Sequence, residues 1–442
     1  MGGVIRNRKD KMIRTSINDA QPHGAVRGST RVINRRLILN YIRKYGPLPR
    51  VVISEKLDLS RPTVSSIIDE LLHDGWVKEG NERDATEKGG RRAINVYFNA
   101  NAAYVIGIDV GRRHLRMLLA DLEGTSIKTY HDTFDTSLGG KTCLRLLTKE
   151  LQKFMKDNGI ALENVLGIGL GIPGTLDPNS KMLTLAPHMP KWDGIDIPNE
   201  LEKEFKRTPI YMDNDANMGA LGESRYGVGK DIRNQIYIKV GAGIGAGLIL
   251  DGEIYRGRRR TAGEFGHVIV DKDGPLCGNH KGCLEVIAAA PAIVKDAYQR
   301  EPLLTQSQSL KGLQHDETKT PIGIQLDAEN ETIADAIMRI IGFANDGNEV
   351  CKAVITNAGK QVGIAIANLV NLLNPEMIIL DGGVVRNAGE LFINPLKESV
   401  EAYSLPAAWE GTSIMTGGLA DKAIAFGAVA TVIDTAFGTL SL

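Results

Sequence analysis

From Arg31 onward, apolar residues recur at helical spacing (Ile33, Leu37, Ile38, Tyr41, Ile42 and Tyr45), and Gly46-Pro47 closes the run. The pattern predicts one helix here and a short second helix near residues 50–57. A third begins after Ser60: this hydroxyl can cap it, Pro62 fits its first turn, and Val64, Ile67, Ile68, Leu71 and Leu72 supply a buried stripe. Residues 74–79 and 93–98 then read as two strands of a hairpin whose tip contains Lys88-Gly89-Gly90-Arg91-Arg92. Three short helices followed by a basic hairpin predict a winged helix-turn-helix. Its base-reading groups would lie at the start of the third helix, where Ser60, Arg61, Thr63, Ser65 and Ser66 cluster, with Arg91 and Arg92 at the wing.

At Tyr104 the pattern changes to continuous apolar runs bounded by glycine. Residues 104–111 and 115–121 read as a buried strand pair turning at Asp109-Val110-Gly111-Arg112-Arg113-His114, and residues 165–171 as a further strand before Ile172-Pro173-Gly174-Thr175. Asp213-Asn214-Asp215 precedes a helix that either Asn214 or Asp215 can cap. Strands at 235–240 and 246–250 are joined through Gly241-Ala242-Gly243-Ile244-Gly245. An apolar helix over 362–373 stops at Asn374-Pro375, a strand at 377–380 leads into Asp381-Gly382-Gly383, and a small-residue helix over 420–430 comes last. Residues 181–198 read as an ordered loop and 302–330 as a polar surface insertion. The expected division is a basic disordered arm (1–30), a winged helix (31–100) and an α/β region of two lobes (101–442). The first lobe would be about 101–226 plus the C-terminal helix, and the second about 227–418.

Composition adds three constraints. Hydrophobic residues make up 43% and charged residues 24% of the 442, as in a soluble globular protein. No apolar run approaches the ~20 residues of a membrane helix. The start of the chain lacks the apolar stretch of a secretory signal, which predicts a cytoplasmic protein, and four Cys fit a reducing compartment. The net charge is zero but unevenly spread: residues 1–50 hold twelve Lys or Arg against two acids. Such a basic end favours a polyanion such as double-stranded DNA over a protein-interaction role for the three-helix unit.

The densest chemistry lies between Ala262 and Glu285, AGEFGHVIVDKDGPLCGNHKGCLE. His267, Cys277, His280 and Cys283 are all residue types that Zn²⁺ accepts, and a closed structural site takes four such ligands. The alternative is that Cys277 and Cys283 are ordinary loop thiols. Glu264 and Glu285 bracket the clip, and ionised carboxylates there would suit hydrogen bonds from the hydroxyls of a sugar.

Gly263-Glu264-Phe265-Gly266-His267 with Gly282-Cys283-Leu284-Glu285 resembles the signature of the ROK family, named for repressors, open reading frames and kinases that handle sugars. Asp58-Leu59-Ser60-Arg61-Pro62-Thr63-Val64-Ser65 is similar to the winged helix of its repressor branch, so the resemblance covers nearly everything from Arg31 onward. It implies an actin- and hexokinase-like (ribonuclease H-like) ATPase fold behind the winged helix. It also implies zinc on His and Cys ligands, and a sugar held by Asn214, Asp215, Glu264, His267 and Glu285. In kinases of the family the residue matching Asp215 is the catalytic base.

Several positions depart from the family pattern. Its third clip Cys is missing, and His280 can take that place. The phosphate turn, D-x-G-G-T in the kinases, here carries Arg112 and Arg113, and Ala242 replaces the Thr of Gly-Thr-Gly. Bulk at the first site and a lost hydroxyl at the second predict weakened phosphate binding. The expected function is therefore a sugar-responsive repressor with no catalytic residue, acting as a homodimer or higher oligomer on operator half-sites ~34 Å apart. The alternative is a sugar kinase that uses ATP with Asp215 as general base.

Overall fold

The computed structural model describes residues 26–80, 94–177, 180, 182–185, 189, 191–206, 208–300 and 332–438. The basic arm before residue 26, the wing tip with Arg91 and Arg92, and the insertion at 302–330 lie outside the described residues. Among the described residues no helix is long and apolar enough to cross a membrane.

The winged helix is built from helices Val26–Tyr45, Arg50–Leu57 and Arg61–His73, with strand Asn95–Phe98 between Leu48–Pro49 and Val77–Gly80. The third helix starts where its cap chemistry dictates: Ser60 Oγ accepts from the Thr63 amide at 3.3 Å, and Pro62 occupies the first turn. The stripe on the first helix is narrower than its spacing suggested. Ile38, Leu39 and Ile42 are buried, while Ile33 and Tyr45 are more than half exposed, at 55% and 53%.

The chain divides into two compact units. The first comprises residues 1–174, 179–213 and 425–442, and the second residues 175–178 and 214–424. In the first unit, strands run in the order Ile210–Asn214, Val165–Ile172, Tyr104–Val110, His114–Ala120, Ser126–Thr133, and the winged helix shares one continuous apolar core with this sheet. The terminal helix Ala423–Phe437 extends seven residues past the expected end and supplies Val429, Val432, Ile433 and Phe437 to that core. It lies so close to the sheet that a Cβ at Gly107 would stand 2.0 Å from the Ala425 carbonyl oxygen, and one at Gly169 2.1 Å from that of Ala428.

The second unit holds a sheet ordered Glu253–Tyr255, Ile244–Leu250, Gln235–Val240, Met377–Asp381, Ser413–Thr416. Helix Glu349–Leu373, of which the apolar run 362–373 is only the second half, packs on Glu390–Tyr403. Backbones meet there, since a Cβ on Gly359 or Gly363 would lie 2.3 Å from the carbonyl oxygens of Phe392 and Leu396 respectively. Helix Asp215–Tyr226 belongs to this unit, not to the lobe ending near 226: a Cβ at Gly219 would enter the Tyr237 ring, and one at Gly247 would meet the Ala216 carbonyl. The packing moves the division to Asn214. Asp381 and Gly382 are tied into this scaffold. Tyr237 donates to Asp381 at 2.6 Å, Arg386 pairs with Asp381, and Gly382 at φ 104° lies against the Val240 backbone.

Candidate functional site

On the third helix of the winged unit, Arg61 is 74% exposed, and its nearest acid is Glu55 at 3.8 Å. The Ser60 and Thr63 hydroxyls lie 2.7 Å apart and serve the helix cap. Ser66 is exposed and accepts at 2.9 Å from Arg31 Nη2, which also pairs with Glu70 and so ties the first helix to the third. The Ser65 carbonyl accepts from Arg50, whose guanidinium also bridges Asp69 at 2.7 Å and Glu79 at 2.8 Å, tying the second helix to the third and to the wing strand.

The turn after Tyr104–Val110 is filled from within. Asp109 is buried, and its Oδ2 accepts from Arg116 Nη1 at 3.1 Å and lies 3.0 Å from His114 Nε2. The His114 ring folds over Gly111 so closely that any Cβ there would sit 2.0 Å from it. Burial, then the neighbouring Arg113, pulls the Arg112 guanidinium below its ordinary value.

All five residues expected to meet a sugar fall in the second unit. Asn214 is the N-cap of helix Asp215–Tyr226; its Oδ1 accepts from the amides of Ala216 at 2.8 Å and Asn217 at 3.3 Å. Asp215 therefore stands at the positive end of a helix, where its Oδ1 accepts from the Ala216 amide at 2.9 Å. Its Oδ2 accepts from Lys239 Nζ at 2.7 Å. No sequence signal pointed to Lys239, because a single Lys in a strand usually reads as a solvated position. Glu285 begins a short helix and accepts the Ile244 amide at 2.8 Å, which pins the Gly-rich turn beside it. Glu264 keeps an exposed face to solvent. Partial desolvation raises its carboxyl above the ordinary range; His267 opposes the rise, and Glu285 and Asp215 add to it. Backbone contacts draw these segments together: a Cβ at Gly266 would lie 3.2 Å from the Glu285 carboxylate, and one at Gly245, next to the Ile244 that Glu285 holds, 3.3 Å from Ala216 Cβ beside Asp215.

The clip brings its expected residues together. Leu276–Cys277 and His280–Lys281 form a two-stranded hairpin in which Cys277 pairs with His280, while Cys283 bridges to Ile269. Gly282 has φ 76°, and a Cβ there would stand 1.4 Å from the Asp271 carbonyl oxygen, so only glycine fits. The ligand atoms of His267, Cys277, His280 and Cys283 all lie within 4.8 Å of one another. A tetrahedral Zn²⁺ with bonds of ~2.0–2.3 Å needs ligand atoms ~3.3–3.8 Å apart, so small side-chain adjustments close the set. His267 Nδ1 is already 3.6 Å from Cys277 Sγ. Burial, then the adjoining Cys277 sulfur, pushes the Cys283 thiol up to about 12.

Comparison with known proteins follows this geometry. The ROK family model matches residues 105–435. The chain belongs to the ROK family. A winged helix-turn-helix DNA-binding model matches residues 33–78, so this ROK protein carries a DNA-binding module of that type. It is 32% identical to the xylose repressor of Caldicellulosiruptor bescii over 403 residues, covering 91% of this chain and 96% of that one. A crystal structure of a ROK family transcriptional regulator, a homologue of the Escherichia coli Mlc protein, matches with a TM-score of 0.73 at 24% identity, covering 92% and 97%. The fold also matches a Streptomyces griseus ROK glucokinase solved with glucose and AMPPNP, with a TM-score of 0.60 at 25% identity over 74% of this chain and 98% of that one.

Proposed function

We infer that this ROK protein is a sugar-responsive transcriptional repressor, which binds operator DNA through the winged helix and a sugar through the second unit. One observation carries the choice of repressor over kinase: the acid at the phosphate turn and the acid at the base position are each engaged by a cation from the chain itself. His114 and Arg116 face Asp109, and Lys239 holds Asp215. A carboxylate so engaged remains a hydrogen-bond acceptor but has an oxygen already occupied by a group of the chain, and a turn filled by His114 has less room for a phosphate. Asn214, Asp215, Glu264 and Glu285 supply acceptors for hydroxyl groups of a polyol.

The donor set of His267, Cys277, His280 and Cys283 supports a structural zinc with His280 in the fourth place. Zinc there would neutralise the two thiolates and fasten the loop from residue 267 to 283. His267 would hold the metal through Nδ1, the nitrogen that lies 3.6 Å from Cys277 Sγ, which would fix the orientation of its ring. A homodimer follows from the need to read two operator half-sites with one recognition helix each.

The test is capture of fragmented source genome on the purified protein, with bound fragments sequenced with and without a panel of D-xylose, D-glucose and N-acetyl-D-glucosamine. A shared palindrome that is lost on adding one sugar is the expected result. ADP formation with the same sugars, abolished in Asp215→Ala, would instead make the protein a kinase.

A further inference from the structure

We propose that Lys239 is a specificity-determining residue of the sugar site: with Asp215 it forms a donor–acceptor pair that reads two neighbouring hydroxyls of a neutral sugar. The inference rests on the sugar site described above and concerns a residue that the family signature does not include.

The placement follows from strand alternation. In Gln235–Val240, Ile236, Ile238 and Val240 point into the apolar core of the second unit, so Tyr237 and Lys239 share the opposite face. Tyr237 packs against Gly219 in the third residue-pair of helix Asp215–Tyr226, and Lys239, two positions along the strand, reaches the start of that helix at Asp215. The two side chains are 25% and 14% exposed. Taking an ammonium that far out of water costs energy that a pairing contact often only balances, and an apolar pair of similar size is frequently as stable. Stability alone therefore explains the pair poorly.

Sugar recognition accounts for it directly. An ammonium offers only donors and a carboxylate only acceptors. A sugar hydroxyl that donates to Asp215 and a vicinal hydroxyl that accepts from Lys239 are satisfied together at the 2.7 Å spacing of the pair. Lys239 adds an ammonium to the donors that Asn214 and His267 offer, and it stands directly beside an acceptor. The charge balance sets the ligand class. An ammonium already paired with Asp215 has no net charge to offer a phosphate, and one donor group beside one acceptor group suits an uncharged polyol.

Calorimetric titration tests this on the full-length protein with D-xylose, D-glucose, N-acetyl-D-glucosamine and glucose 6-phosphate, then with the monodeoxy analogues of whichever sugar binds. In the wild type, removal of one hydroxyl should cost roughly tenfold or more in affinity, in line with a hydrogen bond to a charged group. Lys239→Met should weaken the parent sugar by a similar factor, bind that deoxy analogue no worse than the parent, and leave the other analogues in their wild-type order. Lys239→Arg should fall between the two, and it carries the same comparison if the Met variant fails to fold. Unchanged affinity in a folded variant, or an equal loss for the parent and every analogue, would overturn the role of Lys239 while leaving the sugar site standing. Tight binding of glucose 6-phosphate would overturn the neutral class. If the wild type binds no sugar of the panel, the sugar site and the role of Lys239 fall together.

Discussion

Glu264 shows how one side chain can tie ligand affinity to pH. Partial desolvation raises its carboxyl above the usual range, and the nearby Glu285 and Asp215 charges add to that while His267 opposes it. A sugar hydroxyl donates to the ionised form, so any proton on the free carboxyl must leave when sugar binds. Affinity should then fall as pH drops from neutral through that raised range. In Glu264→Gln the slope should vanish and affinity at pH 7.5 should fall by ~1.5–3 kcal/mol, the worth of a hydrogen bond to a charged group. Titration calorimetry at several pH values reads both effects, and a pH slope retained in the Gln variant would assign it elsewhere. Arg61 makes the matching case on the DNA side. Its exposure at the start of the third helix predicts that Arg61→Ala weakens operator binding by ~1–3 kcal/mol in a fluorescence assay, with sugar affinity unchanged. Equal operator affinity would place recognition on another surface. The spacing of charged and hydroxyl groups made these two residues legible in the sequence. Lys239 was not, because nothing local places it against an acid 24 positions earlier in the chain.

Among the elements, the clip was the most legible, since residue types that bind metal at short spacing constrain a loop to bring them together. The structure places the ligand atoms of His267, Cys277, His280 and Cys283 within 4.8 Å. Elemental analysis should find one zinc per chain, and His280→Ala should lose metal to a chelator that leaves the wild type loaded. Stripping the metal should lower sugar affinity, because Glu264 and Glu285 flank the loop that a zinc on this clip would fasten. Full occupancy and unchanged chelator resistance in His280→Ala would remove His280 from the ligand set. Helix extents were less legible. The apolar pattern marks only the second half of Glu349–Leu373, because the first half alternates burial with exposed polar residues such as Asn357 and Lys360. The terminal helix continues to Phe437 because its far end is buried against residues from the other end of the chain, a contact that no local period encodes.

At the scale of the molecule, the first unit joins its DNA-reading part to its sheet through one shared core. Phe437 lies edge-on to Trp76 at 6.2 Å and to Phe98 at 5.8 Å between ring centroids, under the Arg43 guanidinium at 5.0 Å, and its carbonyl accepts from Asn40. Phe437→Ala should cost ~3–5 kcal/mol of stability in thermal or denaturant unfolding, as for other buried Phe truncations. Because the residues proposed to hold sugar lie in the second unit, a variant that still folds should lose operator affinity more than sugar affinity; an equal loss of both would show that the whole chain had been destabilised together. The two activities are also bound by a relation that needs no assumption about the path between them. A sugar releases operator DNA only through a difference in its affinity for the DNA-binding and non-binding states. The coupling is then reciprocal: if saturating sugar weakens operator binding by a factor typical of such regulators, ~5–150-fold, saturating operator must weaken sugar binding by the same factor. Measuring sugar affinity with and without an operator duplex, and operator affinity with and without sugar, gives two ratios that must agree. If Lys239 and Asp215 serve the sugar alone, Lys239→Met should shift sugar affinity in both DNA states and leave the ratio intact. A change in the ratio would make the pair part of the switch itself.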